Sequence, residues 1–196
     1  MKRRKFSLPL LLGSCLILGS LCLVLVGQLR ARTGAGESRE VVAQMETLLP
    51  ERTVGVPGTY PYADMPVLEI GGADYVALLE VPAFGVTLPV TDGWEGRSLS
   101  RAPARFWGSA YDNTLVVGGS DDTRQFGFCD KIGHGAMVRL TDMTGARFTY
   151  TVCGIDRARH AESEWLMDAE YDLTLFCHDV LAMEYVAVRC VLAGNL

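Results

Sequence analysis

A mainly β domain, closing as an eight-stranded barrel with a few short helices and carried behind one amino-terminal transmembrane helix, is what this sequence predicts. Three observations predict it. An uncharged run of 22 residues extends from Phe6 to Gly27, short Val-, Leu- and Tyr-rich runs crowd the chain after residue 66, and one helical period lies between them. The 196 residues have room for one domain of ordinary size plus an appendage. Apolar residues are 49% and charged residues 21%, which supports a core and excludes a disordered or collagen-like chain.

The first element is the apolar run. At 1.5 Å per residue a helix of that length spans roughly 33 Å, enough for the hydrocarbon core of a bilayer. A cleaved secretory signal would have a shorter apolar stretch and a small-residue cleavage site, whereas Gln28-Leu29-Arg30-Ala31-Arg32 follows here. A lipoprotein-like Leu12-Gly13-Ser14-Cys15 is present, but the chain stays apolar well beyond it. Four cations precede the span and two follow closely, which predicts a cytoplasmic amino terminus and an extracytoplasmic body. The expected location is therefore the cell membrane, in a single pass. The expected division is a basic tail over 1–5, the span over 6–27, a juxtamembrane helix and linker over 28–64, and the barrel over 65–196.

After the joint Thr33-Gly34-Ala35-Gly36, Ser38 is placed as an N-cap. Val41, Val42, Met45, Leu48 and Leu49 then mark one helical face that Pro50 ends. Glu51 to Pro66 contains three Pro and two Gly with no period and reads as a linker or wrapping arm. Strands are expected at 74–82 and 85–90, parted by Pro82-Ala83-Phe84-Gly85, and at Thr114–Val117, Met137–Asp142, Arg147–Ile155, Leu173–Cys177 and Tyr185–Leu192. Asp142-Met143-Thr144-Gly145 is expected to be a tight turn. Arg101–Tyr111 and Ala161–Ala169 are expected to be short helices. So many short strands favour a closed or nearly closed antiparallel barrel, which hides its edges.

Charge narrows the partners. Residues 1–34 hold six cations and no acid, leaving 12 cations against 23 acids in the remainder. A body of net charge −11 lacks the cationic face that nucleic acid requires.

The order of motifs from Met65 to Leu192 resembles the sortases, membrane-anchored cysteine transpeptidases of Gram-positive cell surfaces. Tyr75-Val-Ala-Leu-Leu-Glu-Val-Pro-Ala-Phe-Gly-Val-Thr-Leu-Pro-Val90 is similar to that family's opening strand pair, and Arg101-Ala-Pro-Ala-Arg-Phe-Trp-Gly-Ser109 to the helical segment after it. Thr114-Leu-Val-Val-Gly-Gly-Ser-Asp121 sits where the family has a strand ending in Ala-Gly-His-Asn. Phe126, Ile132, Gly135 and Val138 follow on the family's spacing, and Gly145-Ala-Arg-Phe-Thr-Tyr-Thr-Val152 matches its next hairpin. Leu173-Thr-Leu-Phe-Cys-His178 lies on the strand that carries Thr-Leu-x-Thr-Cys.

The resemblance implies a β-barrel and a reaction in which Cys attacks a peptide carbonyl, His protonates the leaving group and Arg stabilises the oxyanion. Without gaps, the three positions read Ser120 after Gly119, His178, and Tyr185, with Arg189 four places further on. The expectation is a degenerate site: a pseudoenzyme that keeps a groove for a surface-protein peptide or sorting signal. Two alternatives remain enzymatic. Cys177 becomes the nucleophile if a bulge near Phe176 turns it outward. Otherwise Ser120 and His178 form a hydrolase pair with Asp121, Asp122 or Asp179 as the acid.

Six cysteines and three histidines offer no Cys-x-x-Cys pair and no metal constellation, so neither metal nor cofactor is expected. Cys129 is expected as a buried thiol, His134 and His160 as solvent-facing, and the tryptophans as core or rim aromatics. An extracytoplasmic location permits a disulfide among Cys153, Cys177 and Cys190, although the sequence does not demand one.

Overall fold

The computed structural model describes residues 13, 15–22, 38–61, 64–94 and 102–193. The predicted span therefore falls largely outside the described residues. Within it residues 15–22 are helical, and among the described residues no helix is long and apolar enough to cross a membrane. The chain divides into two units, Met1–Gly36 and Glu37–Leu196.

In the second unit, α1 (38–48) is followed by β1 (Thr53–Val54), β2 (Leu68–Ile70) and β3 (Ala73–Val81). A 3-10 turn at Pro82–Phe84 leads into β4 (Val86–Thr91), then β5 (Ala104–Trp107), β6 (Leu115–Ser120), β7 (Met137–Asp142) and β8 (Ala146–Ala158). A single helical turn, α2 (Ser163–Leu166), precedes β9 (Leu173–Asp179) and β10 (Glu184–Leu192).

Eight of these strands close a circuit, β3-β4-β5-β6-β9-β10-β8-β7, because β7 pairs with both β8 and β3. β1 and β2 attach outside it, on β8 and β3. The circuit departs from the antiparallel barrel expected from the sequence. β4–β5 and β6–β9 are parallel pairs, which a chain can make once a long connection separates the strands. The helix expected over Arg101–Tyr111 is instead β5, across 104–107. This segment supplies the ladder that joins β4 to β6, and a short apolar run has no period of its own strong enough to resist that pairing. The short helix expected over 161–169 is present as α2.

Side chains alternate across each strand, and here both sides are used. Inside, Val76, Leu79, Leu115, Val117, Phe126, Leu140, Phe148, Leu173, Leu175 and Val188 form one core. Burying each such aliphatic side chain contributes on the order of 2 kcal/mol. Outside β2 and β3, Met45 of α1 is fully buried against Ile70, Tyr75 and Leu78, so the amphipathic face of α1 covers the barrel wall. On the other flank, Leu166 of α2 packs with Val116, Phe176 and Ala187.

The segment read as a wrapping arm does wrap. Thr53 and Val54 pair alongside Ala146 and Arg147, and Tyr60 stacks on Tyr111 at 3.9 Å. Gly145 closes the β7–β8 turn with φ +85°, and a Cβ there would lie 2.9 Å from the Glu51 carbonyl oxygen. Only glycine meets both the left-handed backbone and the close approach of the arm.

Candidate functional site at the ends of β6, β9 and β10

Three strand ends converge at one rim of the barrel. The β6–β9 ladder runs in unbroken register from Leu115–Leu173 to Gly119–Cys177 and Ser120–His178. On its other side β9 pairs His178 with Tyr185 and Cys177 with Val186, again without a shift. Ser120, His178 and Tyr185 are therefore successive neighbours across the outer face. The His178 and Tyr185 rings lie 4.7 Å apart at 60°. No bulge interrupts β9 at Phe176, so alternation sends Cys177 inward, where it is buried in the barrel core.

The hydroxyl of Ser120 accepts the Asp122 amide at 3.3 Å, and the Ser120 amide donates to Gln125 Oε1 at 3.0 Å. The neighbouring acids are engaged with backbone and Arg124. Asp121 Oδ2 accepts the Val180 amide at 3.2 Å, and Asp179 Oδ1 accepts the amides of Leu181 and Ala182 at 3.0 and 2.9 Å. Asp122 is paired with Arg124, whose hydrogen bond holds its carboxyl below the ordinary value. Among the described residues, no carboxylate and no serine hydroxyl hydrogen-bonds to the His178 ring. Asp121 instead ties the loop after β6 to the β9–β10 hairpin, and Asp179 caps the turn of that hairpin.

Arg189 stands elsewhere. It pairs in register with Thr174, four residues along β10 from Tyr185, and is 1% exposed. Its guanidinium donates to Asp156, Thr174 and the Trp165 and Leu166 carbonyls, and lies over the Trp165 and Tyr171 rings at 4.9 and 5.0 Å. That engagement holds α2 to the barrel wall and leaves the guanidinium facing away from the rim.

The floor beside Ser120 is aromatic. Trp94 lies 5.2 Å from Phe176 and edge-on to Phe106 at 5.3 Å. The residues beneath it are Gly118 and Gly119, one on each face of β6. A Cβ on Gly118 would sit 2.1 Å from the Trp94 ring, and one on Gly119 2.9 Å from the Phe126 ring. The double glycine thus lets an aromatic ring lie flat against each side of the strand. Gly118→Val is expected to expel Trp94, red-shift its emission and cost about 1–2 kcal/mol; unchanged fluorescence would contradict this packing.

On the inner side of the same strand end, a cavity of about 190 Å³ is lined by Asp121, Phe126, Asp130, Lys131, Cys177 and Val186, among others. The Cys177 and Cys129 thiols are neighbours there. Burial, with the Cys177 thiol beside it, pushes the Cys129 thiol up. The adjoining Cys129 thiol holds Cys177 below its ordinary value, against burial and the carboxylates of Asp121, Asp179 and Asp130. None of the six cysteines is in a disulfide. His134 and His160 are exposed, and among the described residues no cluster of ligands suits a metal ion.

Sequence reasoning placed Ser120, His178 and Tyr185 together. It missed Trp94 over the floor, the Cys129–Cys177 contact and the anchoring of Arg189. Only Gly118-Gly119 inside a strand signalled a close approach.

No family model matches this sequence, and no curated protein does. Solved structures do. Sortase A from Corynebacterium diphtheriae superposes with a TM-score of 0.55 at 15% identity, covering 84% of this chain and 85% of that one. A Clostridium perfringens sortase D5 transpeptidase gives 0.54 at 18% identity over 62% and 80%. Clostridium perfringens sortase C with the C-terminal cell wall sorting motif gives 0.54 at 18% identity over 62% and 72%. The barrel is similar to all three, and the chain has a sortase-like fold.

Proposed function

We propose that this chain is a membrane-anchored, extracytoplasmic, sortase-like protein that binds an extended peptide at the rim of β6 and β9 without carrying out Cys/His/Arg transpeptidation. One observation carries the reading: the unbroken register that makes Ser120, His178 and Tyr185 neighbours on the outer face while directing Cys177 into the barrel. A thiol acting in the groove would have to reach the face that His178 occupies. The exposed part of Trp94, with Phe106 and Phe176 behind it, supplies an apolar floor for peptide side chains. The similar structure of a sortase C with the C-terminal cell wall sorting motif makes sorting-signal peptides the first ligands to try. The uncharged run from Phe6 to Gly27 supports the anchor, and the cations before it support the orientation.

The test incubates the chain with sorting-signal peptides and an amine acceptor. Binding without turnover is expected, weakened about tenfold by His178→Ala, equivalent to about 1.4 kcal/mol. Cys177→Ala is expected to leave binding unchanged. Transpeptidation lost on Cys177→Ala would overturn the proposal, and hydrolysis lost on Ser120→Ala would replace it with a serine hydrolase.

A further inference from the structure

Cys129 and Cys177 form a pair that the peptide groove does not use. Cys177 is 4% exposed and lines the cavity inside the rim; Cys129 is fully buried behind it. Both are organised around one carbonyl. The Phe126 oxygen accepts the Cys129 amide at 2.9 Å and lies 4.0 Å from Cys177 Sγ. Cys177 sits on a ladder fixed on both sides by β6 and β10, whereas Cys129 sits in a run of turns over 121–132. The two free thiols adjoin, and bringing their sulfurs to the roughly 2 Å of a disulfide is a closure that movement of the turn side can supply.

From this geometry we infer that Cys129 and Cys177 are a dithiol redox site, oxidised by small neutral or cationic disulfides that enter the cavity and reach Cys177 first. Cys177, as thiolate, attacks one sulfur of the entering disulfide, forming a mixed disulfide and releasing one small thiolate. Cys129 then loses its proton and attacks Cys177 Sγ. The internal disulfide forms, and the second half of the reagent leaves as its thiol. The two electrons lost by the protein reduce the entering disulfide to two thiols, and the attacking thiol protons pass to the departing sulfurs or to water.

The order follows from access, because the cavity presents Cys177 and not Cys129. The preference for reagent follows from charge: Asp121, Asp130 and Asp179 line the cavity with Lys131 as the opposing cation, so an anionic disulfide is disfavoured. The bond would tie the loop after β6 to β9, directly behind the strand end that presents His178.

The full-length chain in detergent, fully reduced, is treated with cystamine or oxidised glutathione, quenched by alkylation and mapped by mass spectrometry of its peptides. The expected product is a Cys129–Cys177 disulfide with two hydrogens lost, formed at least about tenfold faster with cystamine. Cys129→Ala is expected to stop at one cysteamine adduct on Cys177, and Cys177→Ala to leave Cys129 unmodified. Unreacted Cys177 in the folded chain, a wild-type product that stops at the adduct, or a bond to Cys190 instead would overturn the assignment. The wild-type map decides the pairing even if a variant does not fold. Peptide binding is a separate readout, so loss of the groove reading would leave this result standing.

Discussion

Arg189→Ala is expected to destabilise the barrel domain by about 4 kcal/mol, measured by urea unfolding. The side chain is 1% exposed, so alanine leaves a cavity between α2 and β10. It also removes two cation–π contacts, worth about 1–2 kcal/mol each when desolvated. Thr174 and the Trp165 and Leu166 carbonyls lose their donor. The ion pair itself is the smaller part. The Asp156 side chain is 43% exposed, so Asp156→Asn should cost only about 1 kcal/mol. Arg189→Lys should fall between, near 2 kcal/mol, because a point charge cannot reproduce the planar fork between two rings. Equal costs for the arginine and aspartate variants would show that this account of α2 anchoring is mistaken.

The second large effect lies at the β7–β8 turn, where Asp142→Ala is expected to cost about 4 kcal/mol. Asp142 is fully buried, and its two oxygens take four hydrogen bonds. Oδ1 accepts the Thr144 amide and hydroxyl at 2.8 Å each and the Ala146 amide at 2.9 Å, while Oδ2 accepts the Tyr111 hydroxyl at 2.5 Å. Alanine strands the buried donors of Ala146 and Tyr111, each costing about 1–3 kcal/mol. Asp142→Asn keeps Oδ1 as an acceptor and should cost about half as much.

Burial and the Asp142 carboxylate push the Tyr111 hydroxyl well above its ordinary value of 10.0. Its contribution is therefore full below the unfolded phenol's value and is lost as pH rises beyond it, since only the unfolded chain gains by ionising. The urea midpoint should fall above pH 10 in the wild type and fall less in Tyr111→Phe. An identical alkaline slope in both would exclude the linkage.

Most of the barrel was legible in the sequence because its strands are short, apolar and punctuated. β3, β4, β7, β9 and β10 lie where period and turn residues placed them. β5 was not legible, since Ala104–Trp107 becomes a strand by bridging two neighbours and not through a pattern of its own. The rim was legible in part for the same reason. Alternation along Leu173–His178 fixes which side chains face out, and the observed ladder keeps that phase. Contacts between distant segments left no local trace. Nothing near Arg189 announces that Trp165 and Tyr171 will sandwich it, and nothing near Cys177 announces Cys129.

The phase of β9 has a wider implication. Leu173, Leu175 and Cys177 fill the barrel, while Thr174, Phe176 and His178 face the other way, so the core and the outer face are written on interleaved letters of one word. Substitutions at the outward letters alter the groove while the inward letters keep the vessel intact. A barrel with this topology can change the face it presents without losing its core.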